Sequence, residues 1–145
     1  MSFLLDSNIL LRMAQPPHAM HAEATHAVTT LLRQGETIHL VPQNLYEFWS
    51  VATRDIQFNG LGILIPDAQT ELARLKTLFS FLADTPAVYL EWERLVTTYA
   101  VRGRDAHDTR IVAAMNVHQI SHLLTFNKGD FTRYSGITVL LPSDV

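Results

Sequence analysis

The chain contains no cysteine among its 145 residues. This absence excludes disulfide bonds, thiol nucleophiles, iron–sulfur clusters and zinc sites built on cysteine. Histidine and carboxylate side chains remain as possible ligands of a metal ion. The length suits one domain with its own core, so we expect residues 1–145 to form a single domain.

Long apolar runs and targeting signals are also missing. The start of the chain lacks a basic segment, and Asp6 interrupts its apolar run too early for a signal peptide. The longest apolar stretch, 61–66, falls far short of the ~18 residues that a membrane span needs. These features predict a cytoplasmic protein without a membrane partner.

Positive charge is in slight deficit, because 11 basic residues stand against 14 acidic ones and the net charge is −3. This balance argues against an indiscriminate binder of nucleic acid or other polyanions, although it is compatible with a local basic patch. The positions of the acids along the chain therefore matter more than their number.

Short apolar segments alternate with longer segments of helical periodicity. Strands are predicted at 2–5, 37–41, 121–125 and 137–141, and 83–88 is either extended or a loop. The helical segments are 7–13, 21–34, 42–52, 67–79, 90–99 and 108–118. This alternation predicts an α/β fold in which helices cover a mostly parallel central sheet, and such sheets gather functional groups at the carboxyl ends of their strands.

Four acids stand where parallel strands would bring them to one edge of the sheet. Asp6 follows the first strand, Glu47 lies in the helix after the second, Asp108 opens a late helix, and Asp130 follows the 121–125 strand. Converging carboxylates repel one another unless some are protonated or a cation neutralises them. Oxygen ligands of this kind favour Mg²⁺ or Mn²⁺ over Zn²⁺.

Each of these acids also fits a structural role. Asp6 and Asp108 are typical helix caps, Glu47 fits a solvated helix face, and Asp130 fits a turn. Their joint order along the chain is a stronger signal than any one of them.

Four segments in this order carry a family resemblance: FLLDSNILL, VPQNLYEFWSVATR, RGRDAHDTRIVAAM and HLLTFNKGDFTRYSGITVLLP. Together they resemble the PIN domain family, and in particular its VapC-like toxins of type II toxin–antitoxin systems. The resemblance implies a three-layer α/β domain with a central, mostly parallel sheet of about five strands. It also implies an endoribonuclease that depends on Mg²⁺ or Mn²⁺ and hydrolyses RNA with a metal-activated water.

The resemblance assigns roles to the acids. Asp6, Glu47 and Asp108 are the implied catalytic residues and metal ligands. Many members of the family have an aspartate where this chain has Asn127, so either Asn127 or Asp130 completes the site.

Further residues are candidates by their closeness in sequence to these acids. The residues expected to flank the site are Ser7, Asn8, Asp105, His107 and Asn127. The arginines expected to contact RNA phosphates are Arg12, Arg102, Arg104 and Arg110, because guanidinium groups suit bidentate phosphate contacts.

The resemblance implies an RNA substrate, a cognate antitoxin protein and a possible homodimer as partners. Other functions fit parts of the sequence. They are a catalytically inactive PIN-like module that binds RNA or protein, and a receiver-type domain that accepts a phosphoryl group on aspartate. A haloacid-dehalogenase-type phosphatase fits less well, because it would need aspartate where Asn8 stands.

Overall fold

The computed structural model describes residues 1–145 and contains one sheet of five strands. The strands are β1 (Ser2–Leu5), β2 (Thr37–Leu40), β3 (Ser80–Phe81), β4 (His122–Leu124) and β5 (Thr138–Leu140). Their order is β3-β2-β1-β4-β5, and every neighbouring pair is parallel. The predicted α/β fold with a parallel sheet of about five strands is confirmed.

This strand order excludes the receiver-type alternative. Receiver domains of the CheY type have the order 2-1-3-4-5, in which the first strand lies beside strands two and three. Here β1 is the central strand and pairs with β2 and β4.

Six α-helices surround the sheet. They are α1 (Ser7–Met13), α2 (His21–Arg33), α3 (Pro42–Thr53), α4 (Ile65–Leu78), α5 (Pro86–Thr98) and α6 (Asp105–Val117). None of them is both long and apolar enough to cross a membrane.

Three helices begin earlier than predicted: α6 starts at Asp105 and not at residue 108, and proline explains the earlier starts of the other two. The sequence predicts that α4 starts at residue 67 and α5 at residue 90, yet Pro66 and Pro86 already lie in their first turns. Proline suits this position because its fixed φ matches the helix and its missing N–H would have no partner there. Strand β3 was not predicted, because its two residues are exposed and carry no apolar alternation.

The central strand contributes to the core on both sides of the sheet. Phe3 and Leu5 pack with buried residues of α1 to α4, whereas Leu4 packs with buried residues of α5 and α6. Successive strand residues point to opposite faces, so a strand covered on both faces is apolar throughout. The domain therefore has three layers, with four helices on one face of the sheet and two on the other.

The carboxyl ends of β1, β2 and β4 lie side by side. We call this the carboxyl edge of the sheet. Asp6 follows β1 and donates its backbone N–H to the carbonyl of Leu124 at the end of β4, at 2.9 Å. Thr125 follows β4, and α3 begins at Pro42 directly after β2. Residues distant in sequence therefore meet at this edge.

We predict that Leu4→Ala and Leu5→Ala each lower the free energy of unfolding by about 2–5 kcal/mol, because each removes a fully buried side chain and leaves a cavity. Urea denaturation followed by circular dichroism measures the change. Leu90→Ala is the matched control, since Leu90 is 66% exposed and its truncation should change stability by less than about 0.5 kcal/mol. Similar losses for all three variants would contradict the proposed two-sided core.

Candidate active site

Asp6 is a buried carboxylate held by hydrogen bonds from two elements. It is the N-cap of α1, and its Oδ1 accepts the backbone N–H of Ser7 at 2.8 Å. Its Oδ2 accepts the hydroxyl proton of Thr125 at 2.7 Å and a weaker bond from Asn8 Nδ2 at 3.3 Å. The capping role that the sequence suggested is therefore present, and it orients the carboxylate at the carboxyl edge.

Burial is the main influence on the ionisation of Asp6. The side chain is 8% exposed, and this burial raises its pKa from 3.8 to about 6 despite the hydrogen bonds from Thr125 and Ser7. The negative charge of Glu47 raises the pKa further.

Glu47 is joined to Asp6 and to the start of α6. The Ser7 hydroxyl lies 3.5 Å from Asp6 and donates to Glu47 Oε2 at 2.9 Å, so one serine bridges the two acids. Gln43, one turn earlier on α3, donates its amide N–H groups to Glu47 Oε1 and to the carbonyl of His107, both at 2.7 Å. The amide oxygen of Gln43 is buried and has no hydrogen-bond partner.

Asp108 lies in the first turn of α6 among other acids. Its pKa is raised to about 6, first by partial burial and then by the negative charges of Asp6, Asp130, Glu47 and Asp105. The negative charges of all four other acids therefore act on the carboxyl group of Asp108. As the side chains lie, no three acidic or histidine residues are close enough to hold one metal ion between them.

An open cleft of about 730 Å³ lies over these acids. Its walls combine acids and arginines, which is the charge pattern needed to hold a phosphate beside carboxylates. The lining residues are Gln43, Tyr46, Glu47, Ser50, Arg54, Arg104, Asp105, His107, Asp108, Arg110 and Asp130. Asp6 is not among them; it lies beneath the cleft and is connected to it through Ser7 and Glu47.

Asn127 and Asp130, the two residues that could complete the site of Asp6, Glu47 and Asp108, differ in their placement. Asp130 ends a short 3₁₀ helix and lines the cleft. Asn127 is exposed and bonds through its backbone N–H to the Thr125 hydroxyl at 3.0 Å. Asn8 also contacts that hydroxyl at 3.2 Å, so it stabilises the groups beneath the cleft and does not line it.

The structure separates the four candidate arginines. Arg104 and Arg110 line the cleft, whereas Arg12 and Arg102 do not. Arg12 donates to Gln15 at 2.7 Å near the far end of α1. Residue 12 lies about 9 Å along the helix axis from residue 6, so closeness in sequence did not become closeness in space.

Two of the remaining flanking candidates lie on the rim of the cleft. Asp105 is exposed and forms an ion pair with Arg133 at 3.4 Å. His107 has an exposed side chain, and its contribution to the site is the backbone carbonyl that Gln43 binds.

Sequence reasoning missed several uncharged residues and Arg54. Gln43, Ser50 and Arg54 stand at positions −4, +3 and +7 from Glu47, which is the spacing of one helix face. Thr125 is fully buried and follows β4 as Asp6 follows β1. Helical spacing and strand ends were therefore signals that could have identified them.

Solved structures with the same fold include bacterial toxin–antitoxin proteins. VapBC-1 from nontypeable Haemophilus influenzae superposes with a TM-score of 0.73 at 14% identity, covering 99% of both chains. VapC20 from Mycobacterium tuberculosis, a toxin that cleaves the sarcin-ricin loop, gives 0.68 at 17% identity and covers 93% of this chain and 96% of its own. A toxin–antitoxin complex from Klebsiella pneumoniae gives 0.66 at 21% identity, covering 96% of both chains. At these identities the likeness shows the fold.

No curated protein sequence matches the chain. A sequence model of the PIN domain does match, over residues 3–137, which is nearly the whole length. The expected resemblance is thus confirmed by sequence and by fold. The chain belongs to the PIN domain family.

Proposed function

We propose that this protein is an endoribonuclease that uses Mg²⁺ or Mn²⁺ and acts in the cytoplasm as the toxin of a toxin–antitoxin pair. The observation that carries the proposal is the cleft in which Glu47 and Asp108 face Arg104 and Arg110 above the buried Asp6. The family supports a nuclease, and VapC20, a structural neighbour, is an RNA-cleaving toxin.

The donor groups at the cleft fit a divalent cation of this class. All are oxygen atoms, as Mg²⁺ and Mn²⁺ prefer. The raised pKa values of Asp6 and Asp108 indicate carboxylates that lack a neutralising partner, and the buried amide oxygen of Gln43 lacks a donor. Asp6, Glu47 and Asp108 would hold the ion, with Asp130 as the fourth acid, once their side chains turn towards a common point, because no three of them meet as they lie. When bound, such an ion lowers the pKa of a coordinated water and neutralises charge on the phosphate.

The protein's own groups supply orientation and phosphate binding. Ser7 and Gln43 each hold one oxygen of Glu47, which restricts the rotation of that carboxylate. Arg104 and Arg110 line the same cleft and can make charge-assisted hydrogen bonds to the RNA backbone. These contacts carry no information on base identity.

A cognate antitoxin completes the proposal, since a free nuclease would damage its own cell. An apolar surface supports a protein partner: Ile56, Phe58, Leu64 and Ile65 are each more than half exposed around the start of α4. The Klebsiella pneumoniae neighbour is itself a toxin–antitoxin complex. We include a second copy of the chain as a further possible partner.

The site proposal predicts that Asp6→Asn or Asp108→Asn lowers the rate of Mg²⁺-dependent RNA cleavage by about a hundredfold or more. The loss of a carboxylate ligand removes several kcal/mol of transition-state stabilisation. Single-turnover cleavage of total RNA by the purified proteins measures the effect. Asp67→Asn is the control, since Asp67 lies in the first turn of α4 outside the cleft and should leave the rate unchanged. Full activity in either site variant would favour another site, and an inactive parent would favour the non-catalytic binding module.

A second prediction concerns pH and stability without added metal. Because the pKa of Asp6 is about 6 in the folded protein and 3.8 ordinarily, its ionisation destabilises the fold as pH rises through this range. The cost is on the order of 2–3 kcal/mol above pH 6. Asp6→Asn removes this dependence, so its stability relative to the parent should rise between these pH values. Chemical denaturation at several pH values in a metal chelator measures the difference, and parallel pH profiles would contradict the buried, ionisable Asp6.

Added Mg²⁺ or Mn²⁺ should raise the melting temperature of the parent at neutral pH, because binding to the folded state alone stabilises it. The increase should be small or absent in Asp6→Asn and Asp108→Asn and retained in Asp67→Asn. An equal increase of the melting temperature in all variants would indicate that the ion binds at another site.

The toxin role predicts that expression of the chain alone arrests bacterial growth, since cleaved RNA cannot be translated. Culture density and viable counts after induction measure the effect. Asp6→Ala should permit growth and Asp67→Asn should not, at equal protein levels. Growth arrest on expression of Asp6→Ala would show that the toxicity does not depend on this site.

A further inference from the structure

A second cavity adjoins the cleft on the side of α5. It has a volume of about 350 Å³ and is lined by Asp84, Thr85, Val88, Tyr89, Trp92 and Arg110. Arg110 also lines the acidic cleft, so the two cavities share this side chain as a wall. The neighbour of the acidic cleft is therefore a smaller, more apolar space with two aromatic rings.

The aromatic pair offers a surface to a flat ligand. The rings of Tyr89 and Trp92 have centroids 5.8 Å apart and are tilted by 36°, and Tyr89 is 59% exposed. Packed rings need ~3.5–4 Å between their planes, so a third ring does not fit between these two. A ligand ring must instead lie against the outer faces of the pair, in the cavity.

The pair has a fixed position relative to the acids. Trp92 donates its indole N–H to the carbonyl of Ala106 at 2.8 Å. Ala106 lies in the first turn of α6, two residues before Asp108, and Arg110 lies two residues after it. One helical turn thus carries a cleft acid, the anchor of the tryptophan and the shared arginine.

We propose that Tyr89 and Trp92 bind one unpaired base of the RNA substrate, next to the phosphate that Arg110 holds at the cleft. The inference rests on the proposed function and adds a binding subsite for one base beside the cleft. Bases stack on aromatic side chains and on guanidinium planes, and an exposed tyrosine beside an arginine provides both surfaces. A base within a duplex is already stacked and paired, so it would first have to leave the helix at a cost in stacking and pairing energy, and an unpaired base enters this cavity more readily.

The proposal is tested by equilibrium binding in the cleavage-deficient Asp6→Asn background, with a short labelled single-stranded RNA of random sequence. Adding Tyr89→Ala should weaken binding by about tenfold, the usual effect of losing one stacked base. Tyr89→Phe should bind as the background does, because it keeps the ring. Leu90→Ala is the neighbouring control, since Leu90 is similarly exposed but lies outside both cavities. Unchanged affinity in Tyr89→Ala overturns the base subsite.

A spectroscopic readout follows the base directly. The chain has two tryptophans, so Trp49→Phe leaves Trp92 as the only one. Single-stranded RNA should quench the Trp92 fluorescence, whereas an abasic oligonucleotide with the same backbone should not. Equal quenching by both ligands overturns the assignment.

The two proposals fail in distinguishable ways. Absence of RNA cleavage by the parent chain overturns the ribonuclease function. Intact cleavage by the parent together with unchanged binding by Tyr89→Ala overturns the base subsite alone. Melting curves of Tyr89→Ala and Leu90→Ala that match the background confirm that the comparison concerns binding and not folding.

Discussion

The carboxylate of Asp6, buried at the end of the central strand, links the elements that form the site. It accepts hydrogen bonds from the first turn of α1 and from Thr125 after β4, and Ser7 connects it to Glu47 on α3. A buried anion is unfavourable unless it is hydrogen-bonded or neutralised. The surrounding donors supply part of this compensation, and the raised pKa shows that they do not supply all of it. This residual imbalance is the physical basis of the cation that we propose for the site.

Stability and function are therefore opposed at the carboxyl edge. The apolar strands and helices bury a core on both faces of the sheet, while the edge collects acids that repel one another. Gln43 reduces this conflict because a neutral amide binds Glu47 without adding charge, and it connects α3 to the start of α6. Functional sites commonly depart from the rules that stabilise the rest of a fold.

Much of the fold and part of the site follow from sequence patterns. The alternation of strands and helices predicts the parallel sheet, and the rule that functional groups gather at strand ends brings Asp6, Glu47 and Asp108 to one edge. The short strand β3 carries no apolar alternation that would predict it. Arg12 is close to Asp6 in sequence but lies in the last turn of α1, outside the cleft. Thr125 is uncharged, so the pattern of charged residues along the chain does not identify it. Its role depends on strand pairing, which a single sequence does not reveal.

The strand order has a consequence for the time at which the site forms. Asp6 and Thr125 are 119 positions apart, and they meet because the first strand is central and pairs with β4. During synthesis, β1 and Asp6 emerge from the ribosome before β2 and β4, the two strands that pair with β1. A nascent chain cannot assemble the cleft until residue 125 has left the ribosome. For the ribonuclease that we propose, this topology keeps each nascent molecule inert towards the RNA around it until β4 and Thr125 have emerged.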